Sequence, residues 1–355
     1  MKNMFLRYFM SFFIIILLLG SSSINEYNTV SELDYHKKIV LQNNILTPKL
    51  ISNYIGLNNI NTENNIPINP PAIAVLDSGV YPHKNLLYPQ NKILAFKDMI
   101  NGFIEPYDDF GHGTFISGVI AGNATKEFSG ISPHAKIVAV KVIDENGESN
   151  QKVIGNAIEW VIENKTKYNI KIINMSFNFH NKEPLYNDEV STMIRKAEKV
   201  GILVVCSSGN KSIYSEDDTA MYPSNVPGVI SVGSLEYVSP SGILDRKKYI
   251  VADYSRKSYG LVNDIKPTLI VPGTNIRSLN SNTNYTPGDK LVIGNTYRID
   301  TGTSISAAVV SGTLAKLSEA HPDKDMFYIK RLLFSYTYLV PDYNFSNVNR
   351  FIYIN

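Results

Sequence analysis

The chain has 355 residues, of which 44% are hydrophobic and 19% charged, and its formal net charge at pH 7 is +2. This composition is typical of a globular protein and excludes a disordered one, and the length suffices for one large domain or two ordinary ones. The nearly neutral charge gives no reason to expect nucleic acid or an acidic surface as a partner.

The first 23 residues have the pattern of a signal peptide. Lys2 and Arg7 precede an apolar run over residues 9–20, and the small residues 20–23 close it. The run is short for a membrane-spanning helix, which needs about 20 apolar residues. We therefore predict a secreted protein, with an uncleaved membrane anchor as the alternative. Residues 24–45 are predicted to be a short polar leader or propeptide remnant, and residues 46–355 a single domain.

From residue 72 onward, short apolar runs alternate with amphipathic segments of helical length, after one helix near Thr47–Leu57. This alternation indicates an α/β fold of three layers, in which a mostly parallel central sheet carries helices on both faces. The predicted strands are Ile73–Leu76, Ile137–Val142, Ile172–Met175, Ile202–Cys206, Val229–Val232 and Thr268–Val271. The predicted helices are Gly113–Ala121, Gln151–Tyr168, Asp188–Val200, Ser304–His321 and Asp325–Thr337.

The chain contains a single cysteine, Cys206, so an intramolecular disulfide is excluded. Cys206 ends an apolar run that is predicted to be a strand. We therefore expect it to be a buried strand residue rather than a nucleophile.

Three polar motifs fall at the boundaries of the predicted elements, where α/β sheets place their ligand sites. Asp77 follows a buried strand, His112 lies between two glycines at a helix start, and Ser304 lies in the first turn of another helix. Each has an ordinary structural alternative: a turn residue, a structural histidine and a helix N-cap. Together, however, a carboxylate, a base and a nucleophile are what acyl transfer requires.

At these motifs the chain resembles the subtilisin-like serine proteases, or subtilases (peptidase S8 family). The matching motifs are Val75-Leu-Asp77-Ser-Gly, His112-Gly-Thr and Gly302-Thr-Ser304, and the order Asp, His, Ser is that of the family. Further segments match in order, and the resemblance extends from about Leu46 to about Tyr338. The resemblance implies a subtilisin-like fold with one catalytic domain and the activity of a secreted serine endopeptidase.

The resemblance also implies a role for each motif. Ser304 would attack the scissile carbonyl, and His112 would act first as general base and then as general acid. Asp77 would fix the tautomer of the imidazole and stabilise its charged form. Asn210, in Ser207-Ser-Gly-Asn210, matches the family's oxyanion donor, and its alternative is a turn residue after a glycine.

In subtilases an extended peptide adds as a strand between two backbone segments. The corresponding substrate-binding residues here are Gly147 and Ser149 on one side, and Ser176, Phe177 and Asn178 on the other. Lys211 and Met221 are expected at the mouth and base of the pocket for the residue before the cut. A methionine would make that pocket shallow and an ammonium group would favour an acid, so we expect acidic or modest-sized residues there. The alternative is that Lys211 is a solvated surface lysine.

The chain departs from the family at its usual calcium site. Asn85 stands where many relatives have a calcium-binding carboxylate, and the loop Gly122–Ser129 contains one acid, Glu127. Calcium prefers several oxygen ligands with compensating charge. No metal or other cofactor is therefore expected to be required, although a weaker calcium site elsewhere stays open.

Two physiological roles stay open within this interpretation: broad scavenging, or dedicated processing of one precursor or leader peptide. The short leader and the unusual pocket residues favour processing. A catalytically inactive subtilase fold, used for binding or adhesion, is the alternative from another class. The expected partner is a peptide or protein substrate. Nucleic acid is not expected, a membrane is expected only if the N-terminal segment is uncleaved, and the chain is expected to be a monomer.

Overall fold

A mostly parallel β-sheet forms the centre of the protein, and helices cover both faces. The computed structural model describes residues 45–60, 67–179, 188–211, 221–237, 249–259, 265–289, 296–342 and 345–354. The strands are β1 (Ala72–Asp77), β2 (Ile93–Asp98), β3 (Lys136–Lys141), β4 (Ile170–Met175), β5 (Leu203–Ser207), β6 (Ile230–Tyr237), β7 (Tyr249–Val251), β8 (Ser258–Tyr259), β9 (Ile265–Lys266), β10 (Leu269–Pro272), β11 (Ile276–Leu279), β12 (Tyr297–Asp300), β13 (Thr337–Asp342) and β14 (Phe345–Ile352). The helices are α1 (Pro48–Tyr54), α2 (Lys84–Leu87), α3 (His112–Ala121), α4 (Gln151–Tyr168), α5 (Glu189–Lys199), α6 (Thr303–Ala320) and α7 (Met326–Ser335).

Among the described residues, the central sheet has the strand order β13-β14-β10-β6-β5-β4-β1-β3-β2, with β7 paired to β6. The run from β14 to β2 is parallel throughout, whereas β13 and β7 pair antiparallel with their neighbours. All six residues of β1 are buried. Strands that are covered on both faces consist of continuous apolar runs, so they are easily recognised in the sequence.

The two faces of the sheet have separate hydrophobic cores. On one face α3, α6 and α7 pack over strand residues such as Val75 and Val205. On the other face α4 and α5 pack over residues such as Leu76 and Val204. α6 is buried along most of its length. The three-layer α/β architecture expected from the sequence is therefore confirmed.

Most ends of the predicted elements lie within about three residues of the observed ends. α1 ends early, at Tyr54, because Gly56 is left-handed (φ +77°) and the backbone of Ile354 packs against it. Sequence analysis missed β2, most of whose residues are only partly buried, and the strands β7 to β9 and β11 to β14, each of which has an antiparallel neighbour. Short strands without a continuous apolar run lack a local signal.

The predicted signal peptide (residues 1–23) and nearly all of the predicted leader (24–45) lie outside the described residues. Within the described ranges, no helix has both the length and the apolarity needed to cross a membrane. Cys206 lies in β5 and is fully buried, as expected, and burial raises the pKa of its thiol.

Candidate active site

Asp77 and His112 are joined by a hydrogen bond at the carboxyl end of the sheet. Asp77 is the last residue of β1 and is fully buried, and His112 is the first residue of α3. His112 Nδ1 lies 2.9 Å from Asp77 Oδ1 and 3.0 Å from Oδ2. Because Nδ1 donates to the carboxylate, the basic nitrogen of the neutral imidazole is Nε2. The His112 side chain is 12% exposed, so solvent reaches the pair at the imidazole.

A second carboxylate, Asp108, holds the first turn of α3. It accepts hydrogen bonds from the backbone N–H groups of Gly111 and Thr114, each at 2.7 Å, and from the Ser78 hydroxyl at 2.7 Å. Ser78 Oγ in turn accepts from Gly113 N at 2.9 Å. Sequence analysis missed Asp108 and Ser78. No local signal marks Asp108, because it lies three residues before the helix N-cap, Gly111, outside the position of an ordinary capping residue.

A buried lysine joins the turn after β1 to the loop before α3. Lys141 pairs with Asp77 in the sheet register, and its Nζ lies 2.5 Å from Asp109 Oδ1 and 2.9 Å from Ser78 O. Burial raises the pKa of Asp109, and the bond to Lys141 opposes that rise. Sequence analysis missed this ion pair, because the lysine sits inside an apolar strand pattern.

Ser304 lies in the first turn of α6, as predicted, and is buried. Its backbone N–H is one of the four that a helix leaves without an internal acceptor. Its carbonyl accepts from Ser176 Oγ at 2.9 Å, while its own Oγ makes no hydrogen bond to any described residue. α6 packs against α3, which begins with His112. Catalytic hydrogen bonds are often long in the absence of substrate, so this geometry is compatible with a nucleophile.

Asn210 follows β5 and contacts the residue before Ser304. Asn210 Oδ1 accepts from both Thr303 N and Thr303 Oγ1, each at 3.0 Å. Two donors on the oxygen fix the orientation of the side-chain amide, so its NH₂ group is the end that donates elsewhere. This is the arrangement that an oxyanion donor needs.

Two of the residues predicted on the second substrate segment bond Ser304 and the end of β5. Ser176 bonds Ser304, and the Phe177 ring packs on Phe179 with 5.6 Å between ring centroids. Asn178 bonds Ser207 twice: Asn178 Nδ2 donates to Ser207 O at 2.7 Å, and Ser207 Oγ donates to Asn178 Oδ1 at 2.9 Å. Asn178 thus links the second substrate segment to the last residue of β5.

The predicted base of the pocket is filled by methionine. Met221 is buried, and a Cβ added at Gly209 would lie 2.9 Å from Met221 Cγ. Lys211 directly follows Asn210, and its backbone N–H donates to Tyr254 O at 2.8 Å. The structure therefore places Met221 against the segment that carries Asn210.

The first substrate segment is a tight turn close to the His112 loop. Gly147 is left-handed (φ +84°), and a Cβ there would meet the Phe110 ring at 3.0 Å. Ser149 Oγ donates to Val142 O. The turn therefore approaches the residues just before α3.

At the family's usual calcium position, oxygen atoms are bonded to protein groups. Asn85 Oδ1 accepts from the Tyr297 hydroxyl at 2.9 Å. The Arg277 guanidinium stacks on the Tyr297 ring at 4.0 Å and donates to Glu127 O at 3.4 Å. Across the described ranges, no group of three or more His, Cys, Asp or Glu residues could hold a metal ion. These residues do not fit a calcium ion, and the absence of a metal requirement stays a prediction.

Residues 69–344 match the sequence profile of the Subtilase family (peptidase S8). Serine protease AprX of Bacillus subtilis (strain 168) is 30% identical over 278 residues, which span 74% of this chain and 60% of AprX. Subtilisin NAT of Bacillus subtilis subsp. natto is 28% identical over 70% of this chain and 56% of its own length. The matched regions thus span less than two thirds of either relative. The solved structure of Sphericase superposes with a TM-score of 0.63 at 26% identity, covering 81% of this chain and 88% of Sphericase.

Proposed function

The chain belongs to the subtilase family, and on that basis we propose that it is a serine endopeptidase acting through an acyl-enzyme on Ser304. The single observation that carries this proposal is the His112–Asp77 hydrogen bond, at 2.9 Å. The bond between Asn210 and Thr303, the residue before Ser304, supports it. Family membership alone would also fit a catalytically inactive protein with the same fold. A buried carboxylate that orients an imidazole is a specific requirement of catalysis.

In the proposed reaction, His112 Nε2 takes the proton of Ser304 Oγ as that oxygen attacks the scissile carbonyl. The negative charge that develops on the carbonyl oxygen accepts hydrogen bonds from Asn210 Nδ2 and Ser304 N–H. Asp77 stabilises the imidazolium that forms. His112 then gives the proton to the leaving amine, and a water molecule hydrolyses the acyl-enzyme by the same steps in reverse.

The residue before the cut is proposed to be of modest size. Asn178 is bonded across to Ser207, and Met221 packs on Gly209, so both reduce the space for a side chain. We also propose that the enzyme prefers an acidic residue before the cut, as expected from Lys211. Equal cleavage after Phe and Glu in a peptide library would contradict it.

We further propose a secreted enzyme that processes a precursor or leader peptide rather than scavenging broadly. Its support is the N-terminal signal pattern and the constricted pocket. One similar protein, from Bacillus subtilis (strain 168) and 32% identical, is named major intracellular serine protease. The proposed secretion therefore needs a test of its own. Mass spectrometry of the N-terminus in culture medium and in cells tests the location: a full-length chain found only in cells would contradict secretion.

Labelling with a fluorophosphonate tests the proposed nucleophile. The wild-type protein is expected to take one label, whereas Ser304→Ala should take none, because the reagent reacts only with an activated serine. Ser306→Ala, a neighbouring hydroxyl in α6 that donates to Val271 O, is the matched control and should still be labelled. If the wild type and Ser304→Ala behave alike, the alternative of an inactive binding or adhesion module replaces the enzyme.

A further inference from the structure

A buried arginine lies beside the segment that carries Asn210. Arg256 is only 3% exposed, and residues 254–256 run antiparallel to residues 209–211. Arg256 N donates to Gly209 O at 3.0 Å, and Lys211 N donates to Tyr254 O at 2.8 Å. The Asn210 backbone is therefore one rung of a short ladder, not part of an unsupported loop.

The Arg256 side chain adds a contact to Asn210 itself. Arg256 Nε donates to the Asn210 carbonyl oxygen at 3.1 Å. The aliphatic part of the side chain lies over Gly209, where an added Cβ would be 3.1 Å from Arg256 Cδ. A hydrogen bond from a charged donor is stronger than one between neutral groups, and the planar guanidinium limits the positions of its partner.

Asn210 is thus held at two places. Thr303 binds its side-chain oxygen, and Arg256 binds its backbone carbonyl. Stabilisation of an oxyanion depends on donors that are already in position before charge develops, and errors of a few tenths of an ångström matter. We infer that Arg256 is a positioning residue, which keeps the Asn210 amide aligned with the oxyanion of the tetrahedral intermediate. This inference rests on the proposed endopeptidase function.

Arg256 would act on the transition state and not on substrate binding, because the Asn210 amide that it aligns donates to a charge that develops only in the transition state. Loss of an interaction that matters only in the transition state lowers kcat and leaves KM unchanged. A merely structural role would instead lower the fraction of folded enzyme, which active-site titration corrects for.

The test is a double-mutant cycle in the full-length protein, with kcat and KM measured on a peptide substrate and normalised to titrated sites. Arg256→Met keeps the aliphatic stem and removes the Nε donor, and we expect about a tenfold loss in kcat with KM unchanged within twofold. Asn210→Ala should lose about 10² to 10³ in kcat. Adding Arg256→Met to Asn210→Ala should cause no further loss, because Arg256 acts through the Asn210 amide.

The control is Arg195→Met, which removes an arginine that bonds Thr192 within α5 and should leave kcat unchanged. If Arg256→Met does not fold, Arg256→Lys replaces it in the same cycle, and about a threefold loss is expected that again disappears in Asn210→Ala. A loss of equal size in both backgrounds, or an unchanged kcat in a labelled, active enzyme, would overturn the positioning role. Failure of the wild type to label at Ser304 would instead overturn the proposed function itself.

Discussion

The helix turn that carries His112 is held by groups outside the proposed triad. Asp108 ties Gly111 and Thr114 at the start of α3, and Ser78 links Asp108 to Gly113. Asp108 itself is fully buried. A buried carboxylate that accepts several hydrogen bonds leaves several donors unsatisfied when it is removed. The stability of this turn and the position of the proposed catalytic base are therefore expected to depend on the same residue.

We predict that Asp108→Ala lowers the free energy of unfolding by about 2 to 4 kcal/mol, because its buried donors lose their acceptor. Activity per titrated site should also fall, because the first turn of α3 carries His112. Urea unfolding and kcat measure the two effects. Asp289→Ala, an exposed carboxylate that bonds Thr286 in a surface turn, is the control and should leave stability nearly unchanged. A similar small change for Asp108→Ala would contradict the capping role.

The pocket residues give a second prediction at this scale. Met221→Ala and Asn178→Gly each remove a side chain that occupies the space next to Gly209 and Ser207. Both variants should raise kcat/KM for substrates with Phe before the cut by about tenfold, since burying a larger apolar side chain is worth one to three kcal/mol. Cleavage of a substrate with Ala before the cut measures any general loss of activity in the variants. Met193→Ala, on α5, is the matched control, and an unchanged Phe to Ala ratio in both pocket variants would refute the constriction.

At the scale of elements, side chains fasten the loop at which the resemblance led us to look for calcium. The Arg277 side chain of β11 joins the loop at Glu127 to the Tyr297 ring of β12, and the Tyr297 hydroxyl bonds Asn85. A guanidinium over an aromatic ring contributes roughly 0.5 to 2 kcal/mol. The loop before β3 is therefore fastened to the β11–β12 pair by side chains.

We predict that a chelator leaves the thermal unfolding midpoint unchanged within about 1 °C, since a bound ion would stabilise the folded state by mass action. Scanning calorimetry with EDTA, and then with excess calcium, measures this. Arg277→Met should lower the midpoint by a few degrees under both conditions. A large loss on chelation that calcium restores would show a metal site and contradict the prediction.

At the scale of the whole molecule, a buried lysine makes stability depend on pH. Lys92 is 1% exposed, and its Nζ donates to Gln90 Oε1 at 3.1 Å and to Pro133 O. Burial, together with the nearby Lys136, lowers its pKa from 10.5 to about 8, and Glu319 opposes the shift. The unfolded chain therefore binds more protons than the folded one between pH 8 and 10.5, so the folded state gains stability as pH rises through this window.

We predict that the wild type gains about 1 to 3 kcal/mol relative to Lys92→Met between pH 7.5 and 10.5, because the pKa of Lys92 is lowered to about 8 in the folded state. Urea unfolding of both proteins at several pH values gives this difference, in which the other titrations cancel. Lys49→Met, at an exposed position of α1, should show a difference that does not change with pH. A pH-independent difference for Lys92→Met would refute the linkage.

The sequence by itself determined the α/β class, the main parallel strands and most helices, because buried strands and amphipathic helices leave periodic patterns along the chain. It also determined the family, through the ordered motifs around Asp77, His112 and Ser304. The short antiparallel strands and the partners of the site were decided only by the tertiary structure. Asp108, Lys141 and Arg256 act on residues brought close by the fold, so no local pattern of the chain records whether such a side chain faces solvent or another polar group. Those contacts depend on packing between elements distant in sequence, and packing is a property of the folded chain.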